Sequence, residues 1–312
     1  MTHRRVTPSR RPLAPVVRAA LALACGVALA APATARAQRR IDERHAAAPD
    51  LYFRISGSVG TLRVTGWEKD SLVITGTLPA GVRAELGIGE PGGVPARGAK
   101  MYIESPNDAV AAGGSLEVRV PARARVWIKS GTANVDARDV TGGLDVNVIG
   151  GSVRIAASPR ELQVEAMDAG VEITGTPRWL RAKTASGDIT VRGGAADVAL
   201  TSVSGSIRMT DGSVERGRVE TVTGGISFSA TAARGADLTF DTHSGPIDLR
   251  LPGAGQFTLT ASSVTGAVEN HFDKSRPTPG REGRGAELAI ARGNESARIT
   301  VRSFKGTITL RP

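Results

Sequence analysis

Cysteine is all but missing: Cys25 stands alone in 312 residues. A single thiol leaves no internal disulfide and no multi-thiolate metal site. Histidine is scarce too, with His45, His243 and His271 beyond residue 37 and far apart, without the spacing of a metal-ligand pair. Aromatic side chains make up 4% of the chain, so a large helical core is disfavoured, and 38 glycines point instead to short strands and tight turns. Long hydrophobic runs are absent as well. The longest, Ala19 to Ala31, is a run of 13, short of the ~20 residues that span a bilayer.

That run lies in a segment with the layout of a secretory signal peptide. Arg4, Arg5, Arg10, Arg11 and Arg18 precede it, and Ala35-Arg36-Ala37 offers a small-x-small cleavage site before Gln38. Residues 1–37 are therefore expected to be removed, with no integral membrane segment left. Twin-arginine and lipoprotein variants of export are poorly matched: Pro12-Leu13-Ala14 follows Arg10-Arg11, and Cys25 sits inside the apolar run. The leader holds six arginines and no acid, so the formal charge of +10 falls to +4 for residues 38–312. A charge that small, with both signs interspersed, speaks for solubility and against nucleic acid. At the other end nothing after Leu310 reads as a membrane tail or sorting signal.

A phrase recurs through the rest of the chain. Ser186-Gly187-Asp188-Ile189-Thr190-Val191, Ser204-Gly205-Ser206-Ile207-Arg208-Met209 and Thr223-Gly224-Gly225-Ile226-Ser227-Phe228 are plain copies. Slots at Gly131, Gly151, Ala169, Gly187, Gly205, Gly224, Gly245, Gly266 and Gly306 are separated by 18 to 21 residues, except for a last gap of 40. Two and four places after each slot the residues are almost always apolar, as in Val153/Ile155 and Ile247/Leu249. Seven and five places before it they alternate likewise, as in Leu162/Val164 and Leu238/Phe240. Alternation means a strand with one buried face. Two short strands cannot bury that face alone, so the units must stack.

The expected fold is all-β: a single parallel β-solenoid of 18- to 21-residue coils, about ten of them at about 4.8 Å each, with a less regular N-terminal β cap. Residues 38–120 supply the cap and first coils, and 121–312 the regular repeats, with an inserted loop at 271–285. Gly87 to Lys100, rich in Gly and Pro, reads as a loop. The slot glycines are expected at sharp corners where φ is positive, with the neighbouring Ser or Thr bonding a nearby backbone group.

The run Leu116-Glu117-Val118-Arg119-Val120-Pro121, then Val126-Trp127-Ile128-Lys129-Ser130-Gly131 and the repeated Ser-Gly-x-Ile phrases resemble the Toastrack family of adhesin-like domains. Arg63-Val64-Thr65-Gly66-Trp67-Glu68-Lys69-Asp70 matches its opening stretch. The resemblance implies a β-solenoid at or outside the cell envelope. It carries over no functional residues.

A search for chemistry leaves little. Residues three places after the slots point outward and read Asn134, Arg154, Glu172, Thr190, Arg208, Ser227, Asp248, Glu269 and Thr309. Mixed signs suit a solvated face, and Asp248 and Glu269 are the one adjacent acid pair in chain order. His243 falls two places before its slot, beside Val203, Val222 and Val264 of other coils, and reads as a packed corner residue. No Gly-x-Ser-x-Gly elbow, phosphate-binding loop or calcium nonapeptide occurs. The insertion carries Lys274, Arg276, Arg281 and Arg284 against Asp273 and Glu282, and reads as a solvated loop. No catalytic, cofactor-binding or metal residue is expected. The reading is a non-catalytic exported envelope module with an envelope protein or polysaccharide as partner, in the periplasm, on the outer envelope surface or outside the cell. A polysaccharide-active β-helix enzyme and an envelope-stress accessory binding a membrane regulator are the alternatives. The enzyme requires a groove lined by acids and aromatics, which Trp67, Trp127 and Trp179 are too sparse in sequence to suggest.

Overall fold

The computed structural model describes residues 38–312 except 90–94, 253–254, 281–282 and 294–296; the proposed leader lies outside the described residues. Arg36–Pro312 forms one compact unit. In chain order its first part comprises β1 (Arg39–Ser56), β2 (Thr61–Trp67), β3 (Ser71–Leu78), β4 (Arg83–Ile88), β5 (Ala96–Glu104), the short helix α1 (Asp108–Ala111) and β6 (Ser115–Pro121). The repeats follow as β7 (Arg125–Arg138), β8 (Gly143–Ala156), β9 (Glu161–Ala166), β10 (Gly170–Thr174), β11 (Trp179–Thr184), β12 (Ile189–Arg192), β13 (Ala195–Ser202), β14 (Ile207–Thr221), β15 (Ile226–Thr242) and β16 (Ile247–Arg250). The last part holds β17 (Phe257–Ser263), β18 (Val268–Asn270), β19 (Thr278–Pro279), β20 (Ala286–Arg292), β21 (Ala297–Ser303) and β22 (Ile308–Arg311).

Equivalent strands stack in parallel, in register, giving the β-solenoid that the period predicts. From β7 to β16 each coil lies on the one before it. Inward residues such as Leu162, Leu180, Val198 and Leu238 are 0–2% exposed and join one continuous core. Phe228 and Phe240 meet edge to face inside it, with centroids 4.9 Å apart.

At both ends the stacking order departs from chain order. The β21–β22 coil is inserted between β15–β16 and β17–β18: Leu238 pairs with Ile299, Ile299 with Leu259, Ile247 with Ile308 and Ile308 with Val268. The β1–β2 coil is likewise sandwiched, between β7 on one side and β5–β6 on the other. Antiparallel strands cover the outermost coils: β4 on β5, β3 on β6, and β20 on β17. An open parallel edge is a template for unwanted pairing, and this arrangement puts an antiparallel partner on it. In the segment expected as a loop from Gly87 to Lys100, Gly87 and Ile88 end β4 and Ala96 to Lys100 open β5, so its flanks belong to the strand pair that covers the edge; residues 90–94 lie outside the described residues.

Among its described residues the insertion at 271–285 is mostly irregular and exposed, with specific contacts that fix it. Asn270 donates to Asp273 at 2.8 Å, Ser275 N–H donates to Asp273 at 2.8 Å, and Phe272 packs edge-on against Phe257 at 5.2 Å. β19 then pairs antiparallel with β20. These residues close the end of the core, while Lys274 and Arg276 stay exposed; Arg281 and Glu282 lie outside the described residues.

Two corner assignments also change. Register pairs Gly151 with Ala133 and Val153 with Val135, so the slot assigned to Gly131 is displaced by two residues. A shift of two keeps the same face inward, which is why the burial pattern is unaffected. Gly187, Gly205, Gly224 and Gly245 lie outside the left-handed region, although Gly151 does have φ 104°. They are glycine because the corners of successive coils nearly touch: a Cβ on any of them would run into the backbone carbonyl of the corner below. From Gly187 onward, buried hydroxyls three places before the slot line the corners. Thr184 and Thr221 donate to the Gly187 and Gly224 carbonyls at 2.6 Å, and Ser303 accepts from Gly306 N–H at 2.7 Å.

Candidate functional site: a trough across the strand face

The first strand of each coil turns alternate residues outward, and register aligns these into columns. One column reads Tyr52, Arg125, Gly143, Glu161, Trp179; the next Arg54, Trp127, Asp145, Gln163, Arg181; the third Ser56, Lys129, Asn147, Glu165, Lys183. The β8 coil contributes Gly143, Asp145 and Asn147, the shortest set. Long side chains stand on either side: Arg125, Trp127 and Lys129 from β7, and Trp179, Arg181 and Lys183 from β11. The result is a trough along the strand direction, its walls three coil spacings or about 14 Å apart between backbones.

Two cavities occupy it. One of about 420 Å³ is lined by Tyr52, Arg125, Trp127, Gly143, Asp145, Glu161 and Trp179. The other, about 710 Å³, continues past Asn147 and Glu165 to Ile149 and Met167 at the corner. Asn147 donates to Asp145 at 2.6 Å across the boundary between them. The Arg54 guanidinium stacks 3.9 Å above Trp127 from the coil below, covering one indole face and fixing the ring. Trp179 is 48% exposed and Tyr52 46%. Burial, then the nearby Glu165 charge, pushes the Asp145 carboxyl above its ordinary value against the Asn147 hydrogen bond, with Glu161 adding to the rise. Ser130 Oγ, buried at the edge of the larger cavity, has no hydrogen-bond partner.

The residues weighed in the sequence fall elsewhere. Asp248 and Glu269 are not neighbours, because β22 comes between their strands and places Thr309 beside both; Asp248 pairs with Arg311 at 3.3 Å instead. His243 is exposed, not packed inside its corner, and its ring stacks on Phe304 with centroids 5.0 Å apart. The residues two before the slot form an outward apolar corner column, with Ile149, Met167, Val203, Val222 and Val264 44–56% exposed. His45 contacts Glu43 at 3.2 Å, and His271 lies 3.9 Å from Glu269. Trp67, remote from the trough, donates to Ser71 O at 2.9 Å. No group of three His, Cys, Asp or Glu is placed to hold a metal ion among the described residues. No helix among them is long and apolar enough to cross a membrane. The outward column of the second strand does not carry the trough; six and eight places before the slots, with the first slot at Ala133, the sequence gives Trp127, Asp145, Gln163, Glu161 and Trp179.

Fold and site together describe a parallel β-solenoid with a trough across one outward strand face. The Toastrack DUF4097 family matches residues 115–311, more than half of the chain, and the chain belongs to that family. Among solved structures it is similar to a candidate cell adhesion protein from Clostridium sporogenes, at 12% identity, 88% coverage of this chain and 99% of that one, with a TM-score of 0.29. A candidate adhesin from Bacteroides fragilis is similar at 10% identity, 88% and 98% coverage, and a TM-score of 0.32. No curated protein matches the chain.

Proposed function

We propose that this chain is an exported, non-catalytic binding module of the cell envelope, an adhesin-like solenoid that presents its trough to a partner outside the cytoplasm. The observation that carries this is the gathering of Tyr52, Trp127 and Trp179 with acids and amides on one outward face. Apolar rings beside a few polar groups are how binding pockets combine affinity with orientation, and a stacked solenoid holds such groups rigidly. Export rests on the leader before Gln38. The reading predicts that the protein in the producing cell is found outside the cytoplasm with Gln38 as its first residue, and that it is retained on envelope preparations. N-terminal sequencing of fractionated cells and a co-sedimentation assay test both; a cytoplasmic protein with residues 1–37 intact overturns the export reading.

A second reading, a polysaccharide-cleaving enzyme, is favoured by one feature. Asp145 holds a raised carboxyl beside Glu161, the combination a general acid requires. Release of reducing ends from a polysaccharide panel, abolished by Asp145→Asn, would establish it in place of the binding module.

A further inference from the structure

We infer that the trough binds an uncharged oligosaccharide, lying along the strand direction with a sugar ring against Trp127 or Trp179. This rests on the binding-module reading and specifies its ligand. Three features of the trough select that chemistry.

The first is the aromatic pair. A pyranose ring has an apolar C–H face of about the size of an indole, and it gains most on an aromatic ring that is already fixed. Arg54 covers one face of Trp127 at 3.9 Å, leaving the face toward the β8 coil for a ligand. Trp179 stands on the opposite wall, half exposed.

The second is the floor. Asp145, Glu161 and Glu165 are acceptors, and Asn147 and Gln163 supply both donors and acceptors. Sugar hydroxyls, which donate and accept in turn, satisfy this mixture as few other ligands do. The third is charge. The carboxylates of the floor repel an acidic polymer, while Arg125, Lys129, Arg181 and Lys183 on the walls repel a cationic peptide. An uncharged chain meets neither penalty.

Gly143 gives a clean probe. A Cβ there meets only Arg125 Cγ at 3.6 Å and the Glu161 carbonyl at 4.0 Å, which is ordinary contact. Gly143→Gln therefore fills the floor without disturbing the coil. Trp179→Ala removes an exposed ring on the far wall.

The test titrates the purified protein with neutral β-linked and α-linked gluco-oligosaccharides of two to six units, and with oligogalacturonate and oligolysine as charged probes. Intrinsic tryptophan fluorescence and calorimetry report binding. The expected result is saturable binding of a neutral oligosaccharide, weakened about tenfold or more by Trp179→Ala and at least as strongly by Gly143→Gln, while both variants keep the parent circular dichroism and melting temperature. Binding only to the charged probes, no binding, or binding unchanged in both folded variants overturns the inference. Co-sedimentation with envelopes separates its failure from that of the broader reading. Retention that survives both substitutions leaves the binding module standing and removes the saccharide trough; oligosaccharide binding without envelope retention does the reverse.

Discussion

The corner glycines make a quantitative test of what holds the coils together. In Gly205→Ala the new Cβ would lie 2.5 Å from Gly187 C and 2.9 Å from Ser186 O, with the Gly187 oxygen closer still. Ordinary van der Waals contact begins at 3.4 Å, so the two corners must separate by more than 1 Å. The bonds that cross this gap are Ser204 N–H to Ala185 O at 2.9 Å, Ile189 N–H to Ser206 O at 2.9 Å and Ser206 N–H to the Asp188 carboxylate at 2.7 Å. Each would lengthen beyond the range in which such bonds are effective. At about 1 kcal/mol for each, the loss is ~3 kcal/mol, which for a domain of this size corresponds to a melting temperature lower by roughly 6–12 °C. Gly170→Ala is the control. Nothing lies within 4 Å of its added Cβ and its φ is not positive, so it should match the parent or gain slightly. Thermal melts by circular dichroism on the three proteins decide the matter. If Gly205→Ala melts with the parent, the glycines are not there to permit backbone approach, and the account of the corners fails.

Three further outcomes follow from the same geometry. Thr221→Val deletes the donor to the Gly224 carbonyl at 2.6 Å and should cost ~1–2 kcal/mol in urea unfolding, whereas Thr223→Val at the exposed neighbouring position should cost little. Two acids should show opposite pH signatures. The Arg138 guanidinium bonds both Asp136 oxygens at 2.8 Å and holds that carboxyl below its ordinary 3.8, so its stabilising effect is complete above 3.8 and lost as pH falls through the lower folded value; the deficit of Asp136→Asn should fade in acid. Asp145 is raised, its folded form holds a proton more tightly than the unfolded chain, and its charge opposes folding at neutral pH; Asp145→Asn should melt higher than the parent at pH 7 and converge with it in acid. Deleting residues 297–312 removes the coil on which both β15–β16 and β17–β18 rest, so limited proteolysis should cut after Leu251 and release the β17–β20 segment as well.

Much of this architecture was legible because strands repeat with a period of two. Leu162/Val164 and Ile189/Val191 could only be inward pairs, and even a slot misplaced by two residues at Gly131 left the buried face correct. Stacking order was not legible in the same way. The edge of β16 offers Ile247 and Leu249 to any incoming strand, and Val268 of the next coil fits it much as Ile308 does. The choice of Ile308 is made at a distance, by the antiparallel pairing of β20 on β17 and by the closure of Phe272 over Phe257. A parallel edge next to an antiparallel cap is no longer available for another coil, so the C-terminal coil enters on the other side.

That swap bears on how the site could have been found. Asp248 and Glu269 seemed paired in chain order and are separated in space, while Tyr52 and Trp127, 75 positions apart, stand on adjacent coils in neighbouring columns because the N-terminal coil is sandwiched against β7. In a solenoid, proximity along the surface is a property of rung order, and rung order is set by how the two ends are capped. A trough that needs Arg54 from β1 to fix Trp127 of β7 is therefore tied to the N-terminal cap, while its other wall, on β11, belongs to the regular repeat. The trough and the stacking of the N-terminal coil draw on the same strand, so β1 cannot be displaced from the stack without also freeing the Trp127 ring.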